Sequence, residues 1–242
     1  MKKNVIVVLL TLVTVALMAQ EGSQNLGFNL GFSDAVLRER ASSGSDKLDR
    51  NTQLYGIKAG LVYETTFIKG FGMQLGLNYT FGTQLGKWAQ QNDFTILKAK
   101  DNYYYHQIEI PVDWQYKFEI AKQTWLLLYT GPTIQAGLSM KKTTFKETPS
   151  GSVEQQGAPK EHYASDADND GKRDYFRTNV TWGVGAGFQY KRYFLRGGYD
   201  FGVASPYRDK YFDPLSATSE GWNRKGRFDQ WSLKLGIYFL QF

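Results

Sequence analysis

The sequence predicts an all-β fold, an eight-stranded antiparallel up-and-down β-barrel that spans a membrane. Three observations support this prediction: segments of nine or more residues alternate apolar and polar side chains, eight such segments can be traced, and short and long connections alternate between them. A period of two residues is typical of a strand. An apolar outer face backed by a polar, glycine-rich inner face is typical of a barrel in lipid.

Each strand is placed by its own alternation. The third strand is the clearest, since Phe71, Leu75 and four further apolar residues alternate with small or amide residues. The fifth strand is apolar on both faces at its start, and Leu126 and Leu128 are assigned to the outer face. The predicted strands are 25–33, 53–64, 71–81, 103–118, 124–140, 180–190, 193–203 and 228–242.

The connections between these strands fall into a short class and a long class, which alternate along the chain. The short ones are 65–70, 119–123 and 191–192, and the long ones are 34–52, 82–102, 141–177 and 205–227. This order is typical of outer-membrane barrels with short periplasmic turns and long extracellular loops, and closure removes the sheet edges that lipid cannot satisfy. A soluble barrel is the alternative.

The N-terminus predicts export. Met1-Lys2-Lys3 precedes an apolar run from Val5 to Ala19, which is the pattern of a secretory signal peptide. This run is short for a spanning helix of about 20 residues, so cleavage after Ala19 is expected rather than an uncleaved anchor. The predicted domains are a signal peptide, 1–19, and an outer-membrane barrel domain, 20–242, and the predicted location is the cell outer membrane.

Composition excludes several classes of function. Cysteine is absent, and the net charge of +6 contains no basic run that would follow phosphates, so no nucleic-acid partner is expected. The only histidines are His106 and His162, which leaves little for a Ser–His constellation, and a non-enzymatic role is expected.

Charged residues on the predicted inner face form a network. Eight strands leave only enough width for side chains to fill the lumen, so the network is interpreted as a plug, with a proton or ion path as the alternative. Asp200 and Lys234 are expected to lie at similar depth and to pair. The inward charges are Lys58, Glu64, Glu109, Asp113, Lys117, Arg196, Asp200 and Lys234.

Aromatic residues near the predicted strand ends indicate interfacial girdles, although strand propensity alone is the alternative explanation. The predicted girdle residues are Tyr63, Phe71, Phe81, Tyr103, Tyr104, Tyr105, Phe118, Tyr190, Tyr193 and Phe201. The terminal Phe242 after an alternating strand resembles the signal read by the barrel-assembly machinery, which implies that machinery as a partner together with outer-membrane lipid.

One loop carries a metal-binding pattern. Asp166, Asp168 and Asp170, then Gly171 and Asp174, follow the D-x-D-x-D-G spacing of calcium loops. The twelfth position is Arg177, where an EF-hand needs a bidentate glutamate. A looser calcium loop and a solvated acidic loop both stay open, and no other cofactor is predicted.

Three segments resemble a known family. Ile110-Pro-Val-Asp-Trp-Gln-Tyr-Lys-Phe118, Tyr129-Thr-Gly-Pro132 and the hairpin 190–202 are similar to the PorT-like outer-membrane β-barrel proteins of Bacteroidetes-type bacteria. The resemblance implies a structural or adaptor role with secretion-system or envelope proteins as partners, as in type IX secretion. A narrow channel or small-ligand binder is the second hypothesis, and an outer-membrane enzyme is the third.

Overall fold

A computed structural model describes residues 22–43, 46–68, 70–93, 96–164, 175–206 and 223–241. The predicted signal peptide and Phe242 lie outside these residues. None of the helices among them could span a bilayer. The strands are β1 (Gln24–Ser43), β2 (Asp46–Ile68), β3 (Phe71–Gln84), β4 (Ala89–Asp93), β5 (Ile96–Ala121), β6 (Thr124–Glu147), β7 (Val153–Gln155), β8 (Lys160–Glu161), β9 (Thr178–Tyr190), β10 (Tyr193–Gly202) and β11 (Asn223–Gln241), with a 3-10 turn at His162–Ala164.

Eight of these strands close into a ring. The antiparallel pairs run β1–β2, β2–β3, β3–β5, β5–β6, β6–β9, β9–β10, β10–β11 and β11–β1. Every strand of the ring therefore pairs with a neighbouring strand along both of its edges. The predicted eight-stranded up-and-down barrel is confirmed.

The two faces of the wall alternate as predicted. In β6, Leu126 and Leu128 are 41% and 49% exposed whereas Leu127 is fully buried, which confirms the outward assignment of that ambiguous strand. Met73 is an exception, because it has outward parity but is buried. It lies between Thr65 of β2 and Trp114 of β5 in the ladder.

The three predicted short turns lie at one end of the barrel, which is called the turn end. Each turn contains a residue in the left-handed backbone region: Gly70 at φ 85°, Gln123 at φ 59° and Lys191 at φ 53°. A residue in this backbone region allows the chain to reverse direction within a short turn. The long connections lie at the opposite end, called the loop end.

The predicted loops 34–52, 82–102, 141–177 and 205–227 are shorter than expected because the strands continue into them. β1 and β2 stay paired as far as Ser43 and Asp46, and β5 and β6 stay paired as far as Lys98 and Glu147. Outside lipid both faces of a strand meet water, so hydrogen-bonded pairing continues without apolar alternation. The sequence pattern therefore marks the part of each strand that lies in the membrane.

At the loop end the wall divides into two ribbons. β3 pairs with β2 only from Tyr55 onward, and β10 leaves β11 at the Asp200–Gln230 pair. Beyond these points the first ribbon consists of the ends of β11, β1 and β2. The second ribbon consists of the ends of β5 and β6 with β4, β7 and β8 added at their edges.

Candidate functional site: the barrel lumen

The charged layer nearest the turn end is centred on the buried carboxylate of Glu64. Lys117 forms an ion pair with this carboxylate, and its Nζ also donates to Gln189 Oε1 over 2.6 Å. The hydroxyl of Tyr238 donates to Glu64 Oε2 at 2.7 Å, and Asn25 Nδ2 donates to Oε1 at 2.9 Å. The layer joins β1, β2, β5, β9 and β11, so it ties opposite walls of the barrel together.

The middle layer is built around the guanidinium of Arg196, which is 1% exposed. One nitrogen donates to Asp113 Oδ2 at 2.9 Å, and another donates to Gln115 Oε1 at 3.3 Å. The guanidinium carbon lies 3.9 Å from the centre of the Tyr129 ring. A buried charge is tolerated when it is paired in this way, since a lone one would lose its hydration without compensation.

The third layer lies closer to the loop end. Lys58 Nζ donates to Glu109 Oε2 at 2.6 Å, and both side chains are buried. The other carboxylate oxygen accepts from Thr80 Oγ1 at 2.9 Å and from Gln107 Nε2 at 2.5 Å. The structure therefore brings together six of the eight predicted inward charges as three separate ion pairs: Lys117–Glu64, Arg196–Asp113 and Lys58–Glu109.

The expected pairing of Asp200 with Lys234 is wrong in register. Lys234 lies opposite Arg196, whereas Asp200 lies opposite Gln230, four residues further along β11. The alternation of a strand shows which face a residue occupies but not its height relative to the neighbouring strand. Both side chains do occupy the inner face, as predicted.

Inward aromatic rings fill the lumen between these charges, and the sequence pattern did not reveal most of them. A Cβ atom placed on Gly185 or Gly198 would overlap the Tyr129 side chain, and one on Gly236 would overlap the Phe194 ring. The glycines of the inner face thus provide the space that the rings occupy. Glycine opposite an inward aromatic residue on a neighbouring strand is the sequence signal that could have located these rings.

Two predicted girdle residues are instead inside the barrel. Tyr103 and Tyr105 are 6% and 3% exposed, and a Cβ on Gly82 would overlap the Tyr105 ring. Their neighbour Tyr104 is on the outer face, half-buried. Phe71, Phe81, Phe118, Tyr190, Tyr193 and Phe201 are exposed on the outer surface, as predicted. Neighbouring residues of the aromatic run 103–105 therefore point to opposite faces of the barrel wall.

Apolar side chains close the lumen at the loop end. Tyr103 and Tyr105 belong to a cluster, here called the aromatic plug, that also contains residues of β1, β2, β6 and β11. Its members are Ala35, Leu54, Tyr103 and Tyr105, with Met140 and Phe228 packed against them. A neighbouring cluster joins Leu37 and Tyr175 to Tyr163 and Phe228. The cavity left there is about 50 Å³, enough for a few water molecules.

A latch, formed by Glu161, Tyr163 and Arg177, holds the 3-10 turn at His162–Ala164 beside the plug. The Glu161 carboxylate accepts from Ser139 Oγ at 2.6 Å and from the Met140 amide at 2.8 Å. Arg177 lies 5.3 Å from the Tyr163 ring and donates to the β6 backbone. Burial opposes ionisation of Glu161, but these hydrogen bonds and Arg177 lower its pKa, and burial raises the pKa of Tyr163 to about 12.

At the turn end the lumen opens into a funnel of about 890 Å³, whose lining includes Asn25, Lys117 and Gln189. The lumen is therefore open from the turn end as far as the Glu64 layer, and it is closed between that layer and the loop end.

The described residues hold no cluster of three or more His, Cys, Asp or Glu side chains suited to a metal ion. The predicted calcium ligands Asp166, Asp168, Asp170 and Asp174 lie outside the described residues, so that site stays a prediction. His106 is on the outer face, where its Nδ1 lies 2.5 Å from the Tyr79 hydroxyl.

The comparison with known protein families agrees with this architecture. A model of the family described as outer membrane protein beta-barrel domain matches residues 18–208. The chain belongs to this family. Its location is accordingly the outer membrane, so the turn end faces the periplasm and the loop end faces the cell exterior. No curated protein matches the sequence at a significant level.

Solved structures similar to this chain include small outer-membrane barrels. Ail, the attachment invasion locus protein of Yersinia pestis, is 13% identical with a TM-score of 0.37, covering 92% of this chain and 100% of Ail. Neisserial surface protein A is 13% identical with a TM-score of 0.33, covering 88% and 97%. The N-terminal barrel domain of Pseudomonas aeruginosa OprF is 12% identical with a TM-score of 0.25, covering 86% and 97%.

Proposed function

We propose that this protein is a non-catalytic, non-conducting outer-membrane anchor that presents its two extracellular ribbons to a protein partner. The observation that supports the proposal is the closed lumen. Charged layers cross it at Glu64, Arg196 and Glu109, and the aromatic plug lies above them. A barrel filled in this way anchors the protein in the membrane through its wall. Its accessible surfaces are the ribbons at the extracellular end and the funnel at the periplasmic end.

The lumen charges support a structural role rather than a catalytic one. The carboxylates of Glu64, Glu109 and Asp113 are each engaged by a cation within the barrel. A general base or nucleophile needs a reactant within hydrogen-bond reach, and these buried carboxylates have no opening toward one.

The extracellular ribbons supply surfaces that a partner can use. β4 and β7 stand at edges of the second ribbon, and exposed backbone edges pair readily with another chain. The resemblance to PorT-like proteins suggests a partner from the type IX secretion apparatus, and the barrel-assembly machinery is the expected partner during insertion. The secretion link is the part of the proposal that depends on family resemblance alone.

A narrow water or proton path is the second candidate. A band of buried polar atoms between the third charged layer and the plug has no hydrogen-bond partner among the residues that the structure describes. It includes both amide atoms of Gln230, Nε2 of Gln135 and the Thr181 hydroxyl. Water could connect these groups, but the plug interrupts any path to the exterior.

Conductance and partner capture test the two candidates separately. In planar bilayers the full-length protein should show no steady single-channel current, and a stable open level at neutral pH would contradict the closed lumen. In the native membrane, cross-linking should capture a discrete partner at near-equal amount.

Removal of the exposed hairpin 148–158, which carries β7, should abolish that capture while the barrel still inserts. The control is Arg192→Gln in a periplasmic turn, which should capture the partner as well as the unaltered protein does. Recovery of lipid and assembly factors alone from the unaltered protein would contradict the adaptor proposal.

A further inference from the structure

The floor of the periplasmic funnel presents a donor and an acceptor that the barrel does not use. Lys117 has three N–H donors. Two of them bind Glu64 and Gln189, and the third has no acceptor in the described part of the chain. Asn25 donates to Glu64 through Nδ2, whereas its Oδ1 accepts no hydrogen bond from a described residue. Asn25 is 5% exposed and the Lys117 side chain 8%, and both line the funnel. A ligand group that both donates and accepts would satisfy this pair.

The charges that line the funnel are of both signs. At the floor, the ammonium of Lys117 is paired with the carboxylate of Glu64. Nearer the periplasm, Glu119 lies in the lining together with Lys191 and Arg192. The other polar residues described in the lining carry neutral hydroxyl or amide groups, and they are Ser23, Asn25, Thr66, Gln123, Gln189 and Gln241. This lining is suited to a neutral ligand rich in hydroxyl and amide groups.

An inward indole also lines the funnel. Trp125 shares the inner face of β6 with Leu127 and is half-buried. In the ladders it lies between Glu119 of β5 and Gln189 of β9. An indole has a flat apolar face, and a sugar ring can pack its C–H groups on such a face while its hydroxyls donate to and accept from neighbouring polar groups. The position of Trp125 therefore favours a sugar among neutral polar ligands.

The closed ring disfavours a peptide strand as the ligand. Strand addition requires an open backbone edge, and the described strands around the funnel pair with both neighbours except at short ends such as 239–241. The funnel volume of about 890 Å³ lies within the range of about 300–1,000 Å³ that is typical of small-molecule sites. Recognition in the funnel must therefore come from side chains.

We propose that the periplasmic funnel binds an N-acetylated sugar. The acetamido group offers an N–H to Asn25 Oδ1 and a carbonyl oxygen to the third N–H of Lys117. The sugar ring packs on Trp125, and its hydroxyls meet the neutral part of the lining. The sugar belongs either to the cell-wall glycan or to a soluble saccharide. The funnel and the extracellular ribbons are at opposite ends of the barrel, so this site does not depend on the proposed anchor role.

The test is saturation-transfer NMR of the full-length protein in a detergent without sugar headgroups, titrated with diacetylchitobiose or with cellobiose, which lacks the acetamido groups. Diacetylchitobiose should bind at least about tenfold more tightly, since a site that hydrogen-bonds a group rejects the analogue without it. Trp125→Ala should weaken its binding at least about tenfold, because an aromatic anchor is lost. Asn25→Ala should reduce the preference for the acetamido sugar, and it leaves Glu64 paired with Lys117.

The control is Trp88→Ala, which removes a partly exposed indole at the extracellular end and should leave binding unchanged. Thermal unfolding of each variant verifies that the barrel is intact, and the comparison of the two disaccharides needs no variant. Co-sedimentation with purified peptidoglycan, lost in Trp125→Ala, would assign the sugar to the cell wall. Binding of the disaccharide without co-sedimentation would assign it to a soluble saccharide.

Three results would overturn the proposal. The first is equal binding of diacetylchitobiose and cellobiose, and the second is unchanged binding by Trp125→Ala. The third is binding of acetyl-trialanine amide as tight as that of diacetylchitobiose, because the funnel would then recognise the amides of a peptide rather than a sugar.

Discussion

The periplasmic and extracellular halves of the lumen are closed by different chemistry. Beyond the periplasmic funnel, the lumen is closed by ion pairs at Glu64, Asp113 and Glu109, all made by residues of the barrel strands. The extracellular half is closed by aromatic rings, and Tyr163 and Tyr175 reach it from outside the eight barrel strands. The first closure is made by residues of the barrel strands alone, whereas the second also uses Tyr163 and Tyr175, which lie outside the ring of strands.

The largest effect is expected in the periplasmic half. Arg196→Ala should lower the free energy of unfolding by about 3–5 kcal/mol, because it leaves Asp113 buried without its cation. Urea titration of the folded barrel in lipid measures this change. The matched control is Arg192→Ala in an exposed turn, which should change the free energy by less than about 0.5 kcal/mol. Equal free energies of unfolding of the two variants would mean that the Arg196–Asp113 ion pair does not stabilise the barrel.

The next largest effect is expected in the aromatic plug. Tyr105→Ala should cost about 3 kcal/mol, since removing a buried aromatic ring leaves a cavity. Among the described residues its hydroxyl makes no hydrogen bond of normal geometry, so Tyr105→Phe should be close to neutral. Urea titration compares the two variants. A loss of stability in Tyr105→Phe as large as in Tyr105→Ala would show that the hydroxyl, not the ring, stabilises the plug.

A smaller effect distinguishes glycines that make space from glycines that do not. A Cβ at Gly236 would overlap the Phe194 ring, whereas a Cβ at Gly197 would meet Leu233 at 3.5 Å, an ordinary contact. Gly236→Ala should therefore cost about 1–3 kcal/mol through overpacking, and Gly197→Ala should cost little. The same unfolding measurement would contradict this account if the two substitutions were equivalent.

The smallest effect is a pH dependence of the latch. The folded protein holds the pKa of Glu161 below its ordinary value of 4.5, so the latch is fully stabilised above that pH and is weakened as the pH falls through the lower folded pKa. Pepsin should then cleave the segment 148–164 faster as the pH is lowered through this range. Glu161→Gln should lack this pH-dependent step. An identical pH profile in that variant would assign the change to another group.

The sequence predicted the lumen network in composition but not in arrangement. Lys58, Glu109, Asp113 and Arg196 were all assigned to the inner face, and all four pair there. Parity is a property of one strand, so it can be read locally. The expected pairing of Asp200 with Lys234 was wrong because relative height depends on the stagger between strands, which closure of the ring sets.

The sequence by itself determined the eight membrane strands, the outward face of each and the end at which the turns lie. These follow from alternation and connection length, because lipid requires an apolar face on every spanning strand. Only the tertiary structure decided that Tyr103 and Tyr105 turn inward, that the strands continue beyond the membrane, and that Lys117 meets Glu64. Each of these depends on which residues of distant strands become neighbours, and that is set only when the first strand pairs with the last.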